Sequence, residues 1–226
     1  MQWPTLIVDN FFTDPHGVVK LSKTLKYAPS ANHAWPGTRT APLHEVNNAF
    51  FQWSTQKILA LLYPAHIPPQ SSAQILDSDG LQWHAGQYFQ RVPFDTYGEE
   101  GWVHRDIEDE FTVIIYLSDH PQSGTCLYEG KYFNTQAEHL DEKQKFYADL
   151  KDLKRMEKYK EKCNSKFRKK VELFSNFNRL VLFDGANWHA SKNADESKSE
   201  RLTLITFFKD VSCKNIRYPI TQMRRI

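Results

Sequence analysis

Gly101-Trp102-Val103-His104-Arg105-Asp106, read together with Asn187-Trp188-His189 much later in the chain, decides the fold. His104 and Asp106 stand two apart in a stretch with strand character. Side chains alternate across a strand, so positions i and i+2 share a face. An imidazole beside a carboxylate makes two parts of a 2-His-1-carboxylate facial triad, which binds non-haem Fe(II) on three positions and leaves the opposite three open. His189, 83 residues beyond Asp106, is the candidate third ligand. Alone, H-x-D is a weak signal, because nine histidines and 27 acidic residues make chance matches easy.

The surroundings strengthen it. Residues 111–117, Phe-Thr-Val-Ile-Ile-Tyr-Leu, are β-branched or aromatic almost throughout and read as the clearest strand of the chain. A Gly124-Thr125 turn follows. A second apolar run, 179–183, delivers His189, and a cation, Arg201, opens a third at 201–208. Arg201 and Thr203 share a strand face by the same period of two.

That order of motifs resembles the 2-oxoglutarate- and Fe(II)-dependent oxygenases, in their prolyl-hydroxylase-like branch, over residues 81–208. The resemblance implies an α+β fold, a double-stranded β-helix (jelly roll) with the metal inside its open mouth. Supporting helices precede the jelly roll and a charged helical insertion interrupts it. Carried over residue by residue, it makes His104, Asp106 and His189 the catalytic metal ligands. Arg201 then fixes the far carboxylate of 2-oxoglutarate, a guanidinium being able to fork onto a carboxylate in two parallel hydrogen bonds. Thr203 assists it, Tyr116 and Tyr88 touch the co-substrate, and Lys198 is the fallback anchor. The implied cofactors are Fe(II), 2-oxoglutarate as co-substrate, O2, and ascorbate as reductant. The implied reaction is hydroxylation of a C–H on a peptidyl, prolyl included, or small amino-acid-like substrate, with release of succinate and CO2. An aspartate at position 106, rather than Gly or Ala, disfavours the halide-binding variant of such sites.

Earlier in the chain, Thr13-Asp14-Pro15 is a helix start, with a cap residue and proline at the first helical position. Residues 45–63 read as one further amphipathic helix, stopped by Pro64. Between them lies a loop whose most distinctive part is Trp35-Pro36-Gly37-Thr38-Arg39-Thr40, and this carries no substrate signature. Residues 81–92 are strand-like and interrupted at Gly86. Residues 138–170 have no Gly or Pro, and apolar residues recur at three- or four-residue steps, so they read as one amphipathic helix, with a break near Asn164-Ser165 as an option. Twelve basic and seven acidic residues give this segment +5. It is either a solvated helix packed on the barrel or a docking face for an anionic partner.

At 226 residues the chain suits one domain. Its parts are N-terminal support at 1–80, jelly-roll core at 81–135 and 171–210, insertion at 136–170 and a basic tail at 211–226. With 40% apolar and 14% aromatic residues it can build a sizeable core. A net charge of +2 gives no reason to expect a nucleic acid or a membrane as partner. Three scattered cysteines suggest neither a disulfide framework nor a zinc knuckle, and with no long apolar run a cytoplasmic setting is expected. Two alternatives stand beside the hydroxylase. One is a catalytically silent jelly roll that binds a ligand or partner. The other is a nucleic-acid dealkylase on the same chemistry, supported only by the basic helix and Arg217, Arg224 and Arg225.

Overall fold

A computed structural model describes residues 3–30, 35–63, 81–93, 100–106, 108–130, 153–192 and 200–212. Among the described residues, ten strands form two antiparallel sheets. The major sheet has the order β1 (Leu6–Val8), β8 (Leu180–Asp184), β5 (Phe111–Tyr116), β10 (Glu200–Ser212), β4 (Gln82–Pro93), β3 (Thr38–Thr40) and β2 (Tyr27–Pro29). The minor sheet has the order β7 (Phe167–Ser175), β6 (His120–Gly130) and β9 (Trp188–Lys192). This is the expected jelly roll.

Helices cover one face of the major sheet. In α1 (Pro15–Thr24) the Asp14 carboxylate accepts from the Gly17 amide and Pro15 sits in the first turn, as the sequence implies. The segment read as one helix at 45–63 is two: α2 (Leu43–Val46) and α3 (Asn48–Leu59). Asn47 is the reason. Its side chain accepts from the Phe50 amide and starts α3 afresh, an option that helix-interior residue types lack. Phe51, Ile58 and Leu59 of α3 pack with Phe89, Leu204 and Phe208 in the principal core. A buried polar relay crosses this layer, from the Ser54 hydroxyl to the Gln87 carbonyl oxygen (2.8 Å) and from the Gln87 amide to Thr206 (2.9 Å).

Because β10 alternates, Leu202, Leu204 and Phe208 enter that core, whereas Arg201, Ile205 and Phe207 face the space between the sheets. Both faces are covered, which is why β10 is buried at most of its positions. A second, smaller core of Tyr116, Leu127, Leu173, Val181 and Phe183 closes one end of the inter-sheet space.

Two further readings are corrected. Gly86 does not interrupt β4; it pairs with Phe207, and the irregularity of this pairing falls between Phe208 and Asp210 of β10, opposite Ala85 and His84. The segment 138–170 is not one unbroken helix: the optional break near Asn164-Ser165 is present. Among its described residues α4 (Leu153–Asn164) ends at Asn164, and β7 begins at Phe167, inside the stretch assigned to the insertion. Long-range pairing with β6 overrides the local charge pattern there. No described helix is long and apolar enough to cross a membrane. Residues 213–226 of the basic tail, with Arg217, Arg224 and Arg225, and Lys198 lie outside the described residues.

Candidate metal centre

The segment bearing His104 and Asp106 is less regular than a strand. It runs beside β9 and bridges it at Glu100–Lys192 and His104–His189. The amide of His104 donates to the His189 carbonyl (2.9 Å), and the His189 amide donates back (2.8 Å). This reciprocal pair sets the two imidazoles side by side, with centroids 4.3 Å apart. Asp106 is fixed separately. Its amide donates to Gly185 O (2.9 Å), and its own carbonyl accepts from Asp109 N (3.0 Å). The Gly185 backbone passes so close that a Cβ there would collide with the carbonyls of Asp106 and Asp109, so the turn after β8 requires glycine.

The side chains converge. His104 Nε2 stands 3.7 Å from Asp106 Oδ1, and His189 Nε2 stands 3.4 Å from Asp106 Oδ2. One ligand atom from each of the three residues lies within 4.8 Å of the others. Both imidazoles use Nδ1 in the same way: His104 Nδ1 bonds the Trp102 carbonyl (2.9 Å) and His189 Nδ1 bonds the Asn187 carbonyl (3.0 Å). A carbonyl only accepts, so each Nδ1 carries a proton and each Nε2, the atom left for a metal, turns inward. The Thr112 hydroxyl donates to Asp106 Oδ2 (2.8 Å) and orients the carboxylate. Ligand atoms about 2.1 Å from one octahedral ion would be about 3 Å apart. The observed spacings are slightly wider, and two nitrogens and one carboxylate suit a divalent transition metal. The residues fit Fe(II).

These three residues line one cavity of about 170 Å³ together with Arg201, Thr125, Ser191, Ile205 and Phe207. Arg201 is buried and donates from Nη1 to Gly124 O (3.3 Å). Thr203, Tyr116 and Tyr88 are not among the described lining residues. Tyr116 is fully buried behind Thr125, with its hydroxyl 2.8 Å from Thr125 Oγ1, and burial pushes its phenol up to about 12. Thr203 lies in register between Tyr116 and Gln90, and Tyr88 packs near Phe207. The Asp109 carboxyl, beside the ligand segment, is pushed up to about 7 by burial and then by the Asp106 charge.

Five residues escape the sequence reading. Trp35, Pro36 and Arg39, from the loop without a signature, line the cavity, Arg39 from strand β3. Gln90 of β4 lines it as well. Asn164, the last residue of α4, bonds the ligand-bearing segment from outside.

A model of a family of unknown function, DUF6445, matches residues 1–208. The chain belongs to that family. Among curated proteins no match is found. Solved structures of similar fold include HygX from Streptomyces hygroscopicus with nickel and 2-oxoglutarate bound, at 13% identity and a TM-score of 0.56, over 90% of this chain and 82% of that one. Another is SnoN, a non-heme alpha ketoglutarate dependent epimerase from nogalamycin biosynthesis, at 12% identity and a TM-score of 0.53, covering 90% and 76%. A third is a prolyl hydroxylase from Trichoplax adhaerens in complex with a hypoxia inducible factor peptide, at 14% identity and a TM-score of 0.50, covering 90% and 82%. The DUF6445 chain thus has the double-stranded β-helix of the 2-oxoglutarate- and Fe(II)-dependent oxygenases.

Proposed function

We propose that this protein is a 2-oxoglutarate- and Fe(II)-dependent dioxygenase that hydroxylates a C–H bond of a peptidyl or small amino-acid-like substrate. The observation that carries the reading is the pair of backbone-tethered imidazoles whose Nε2 atoms meet one carboxylate inside a cavity lined by a buried arginine. A structural binding protein has no need to tether two imidazoles with their Nε2 atoms converging on one carboxylate.

When bound, Fe(II) with 2-oxoglutarate and O2 supplies the oxidative decarboxylation that yields succinate and CO2 and delivers one oxygen atom to the substrate, with ascorbate as the reductant that keeps iron ferrous. The chain's residues do the rest. His104, Asp106 and His189 would hold the ion. Trp102 and Asn187 carbonyls keep both imidazoles in the ligating tautomer, and Thr112 keeps the carboxylate aimed. Arg201 grips the far carboxylate of 2-oxoglutarate. Tyr116 acts through Thr125, whose hydroxyl it bonds, while Thr203, in register with Tyr116, and Tyr88, packed near Phe207, stand behind the lining residues. Ile205 and Phe207 keep the wall apolar, which strengthens the charge contacts inside.

Turnover of 2-oxoglutarate to succinate by the iron-loaded protein, without added substrate, tests the proposal against a silent jelly roll. Slow succinate formation that disappears in His189→Ala supports the enzyme; none from folded, iron-loaded protein favours the binding protein.

A further inference from the structure

The cavity holds a second guanidinium. Arg39 projects from β3 and pairs in register with Gln90 of β4. Its head lies 4.6 Å from the Trp35 ring, 5.4 Å from Phe207 and 5.8 Å from Tyr88. Nη2 donates to Gln90 Oε1 (3.3 Å), and the Gln90 amide is pinned in turn on Pro36 O (2.7 Å). Rings against a guanidinium hold its flat faces, while its N–H bonds radiate in the plane. The head is therefore preorganised, and an acceptor meets it edge-on.

Its place in the cavity follows from the register. Phe207 lies opposite Thr112 on the neighbouring strand, and Thr112 bonds Asp106. A head stacked on Phe207 thus sits on the order of 10 Å, two strand spacings, from the ligands. Among the described lining residues the permanent charges are Arg39, Arg201 and Asp106. Fe(II) and the 2-oxoglutarate dianion cancel, and so do Asp106 and one arginine. The described lining is thus net cationic, and Arg39 places part of that charge away from the triad, where a partly dry wall strengthens contact with an anion.

We propose that Arg39 is the substrate-selecting residue of this site and binds a carboxylate of the substrate molecule. The substrate class is then an amino-acid-like acid, carrying its anion on one side and its reacting C–H on the other. This rests on the dioxygenase reading above and deepens it. The carboxylate can come from an α-carboxyl group or from an Asp or Glu side chain, which the test separates.

The test uses the full chain, anaerobically loaded with Fe(II) and 2-oxoglutarate, and follows its visible charge-transfer band together with succinate formed after oxygen is admitted. The probes are N-acetyl amino acids as free acids, the same compounds as primary amides, and N-acetyl-Asp and N-acetyl-Glu α-amides for the side-chain arm. Acids should perturb the band and raise succinate at concentrations ten-fold or more below their amides. In Arg39→Gln that preference should shrink to within two-fold, with Arg39→Lys between. Equal response to acids and amides, an acid preference that survives in Arg39→Gln, or no response to any acid overturns the proposal. The acid–amide comparison on the unaltered protein decides the matter even if a variant fails to fold. A protein that forms no band at all removes the dioxygenase reading itself, and this proposal with it.

Discussion

The Asn164 side chain brackets the backbone on either side of Trp102. Its Oδ1 accepts from Val103 N (3.1 Å), and its Nδ2 donates to Gly101 O (2.9 Å). The peptide between these two contacts carries the Trp102 carbonyl that holds the His104 imidazole. The Trp102 ring also packs 6.0 Å from Tyr159 on the same helix. Helix α4 is thereby tied to the metal site by a clamp of two hydrogen bonds. Asn164→Ala should weaken Co(II) binding by roughly ten-fold, the usual effect of losing an outer-shell partner. Isothermal titration with Co(II) reads this directly, and unchanged affinity contradicts the clamp.

Thr112 acts on the other side of the ligand set. Thr112→Val keeps the buried shape and removes the hydroxyl that donates to Asp106 Oδ2. Metal affinity should fall about ten- to a hundred-fold, while the loss of one neutral donor to a charged acceptor costs about 1.5–3 kcal/mol. A variant that binds Co(II) as the parent does would show that Asp106 needs no such support.

Arg201 is expected to govern 2-oxoglutarate and little else. Arg201→Gln removes the charge and the fork, so half-saturation by 2-oxoglutarate should rise by at least ten-fold, as expected for a buried charged anchor. Fe(II) affinity should change less than three-fold, a difference of under about 0.7 kcal/mol. Equal losses for both ligands would mean that the cavity itself had collapsed.

The reach of sequence reading follows the kind of signal each residue carries. His104, Asp106, His189 and Arg201 announce themselves by chemical type and by order among apolar runs, and all four line one cavity. Asn164 and Arg39 have no such announcement. Asn164 meets Val103 across 61 positions, and Arg39 meets Gln90 across 51, so their roles exist only once the strands have paired. The break at Asn47 was written locally, in a residue that caps as well as it turns, yet the apolar period on both sides of it concealed the stop. Strand β7 was hidden by the lysines and arginine at 168–170, which continue the charge pattern of the helix before it.

Stability should report one surface contact with a defined pH dependence. The Arg179 guanidinium donates to both oxygens of Asp9 (2.6 and 2.9 Å) and holds that carboxyl below its ordinary value. A carboxyl lowered in the folded state contributes stability above its unfolded pKa, near 3.8, and loses it as pH falls through the folded value. Because Asp9 is mostly solvent-exposed, Asp9→Asn should cost only about 0.5–1 kcal/mol at pH 7. Denaturant melts at pH 7 and pH 3 should show that cost shrinking at the lower pH; a cost independent of pH contradicts it.

The most direct test of the central claim is an anaerobic absorption spectrum of the protein with Fe(II) and 2-oxoglutarate. The proposed triad of His104, Asp106 and His189 beside Arg201 predicts a visible charge-transfer band that saturates at one equivalent of iron and is absent in His104→Ala. A folded protein that binds iron but gives no band on addition of 2-oxoglutarate would contradict the account.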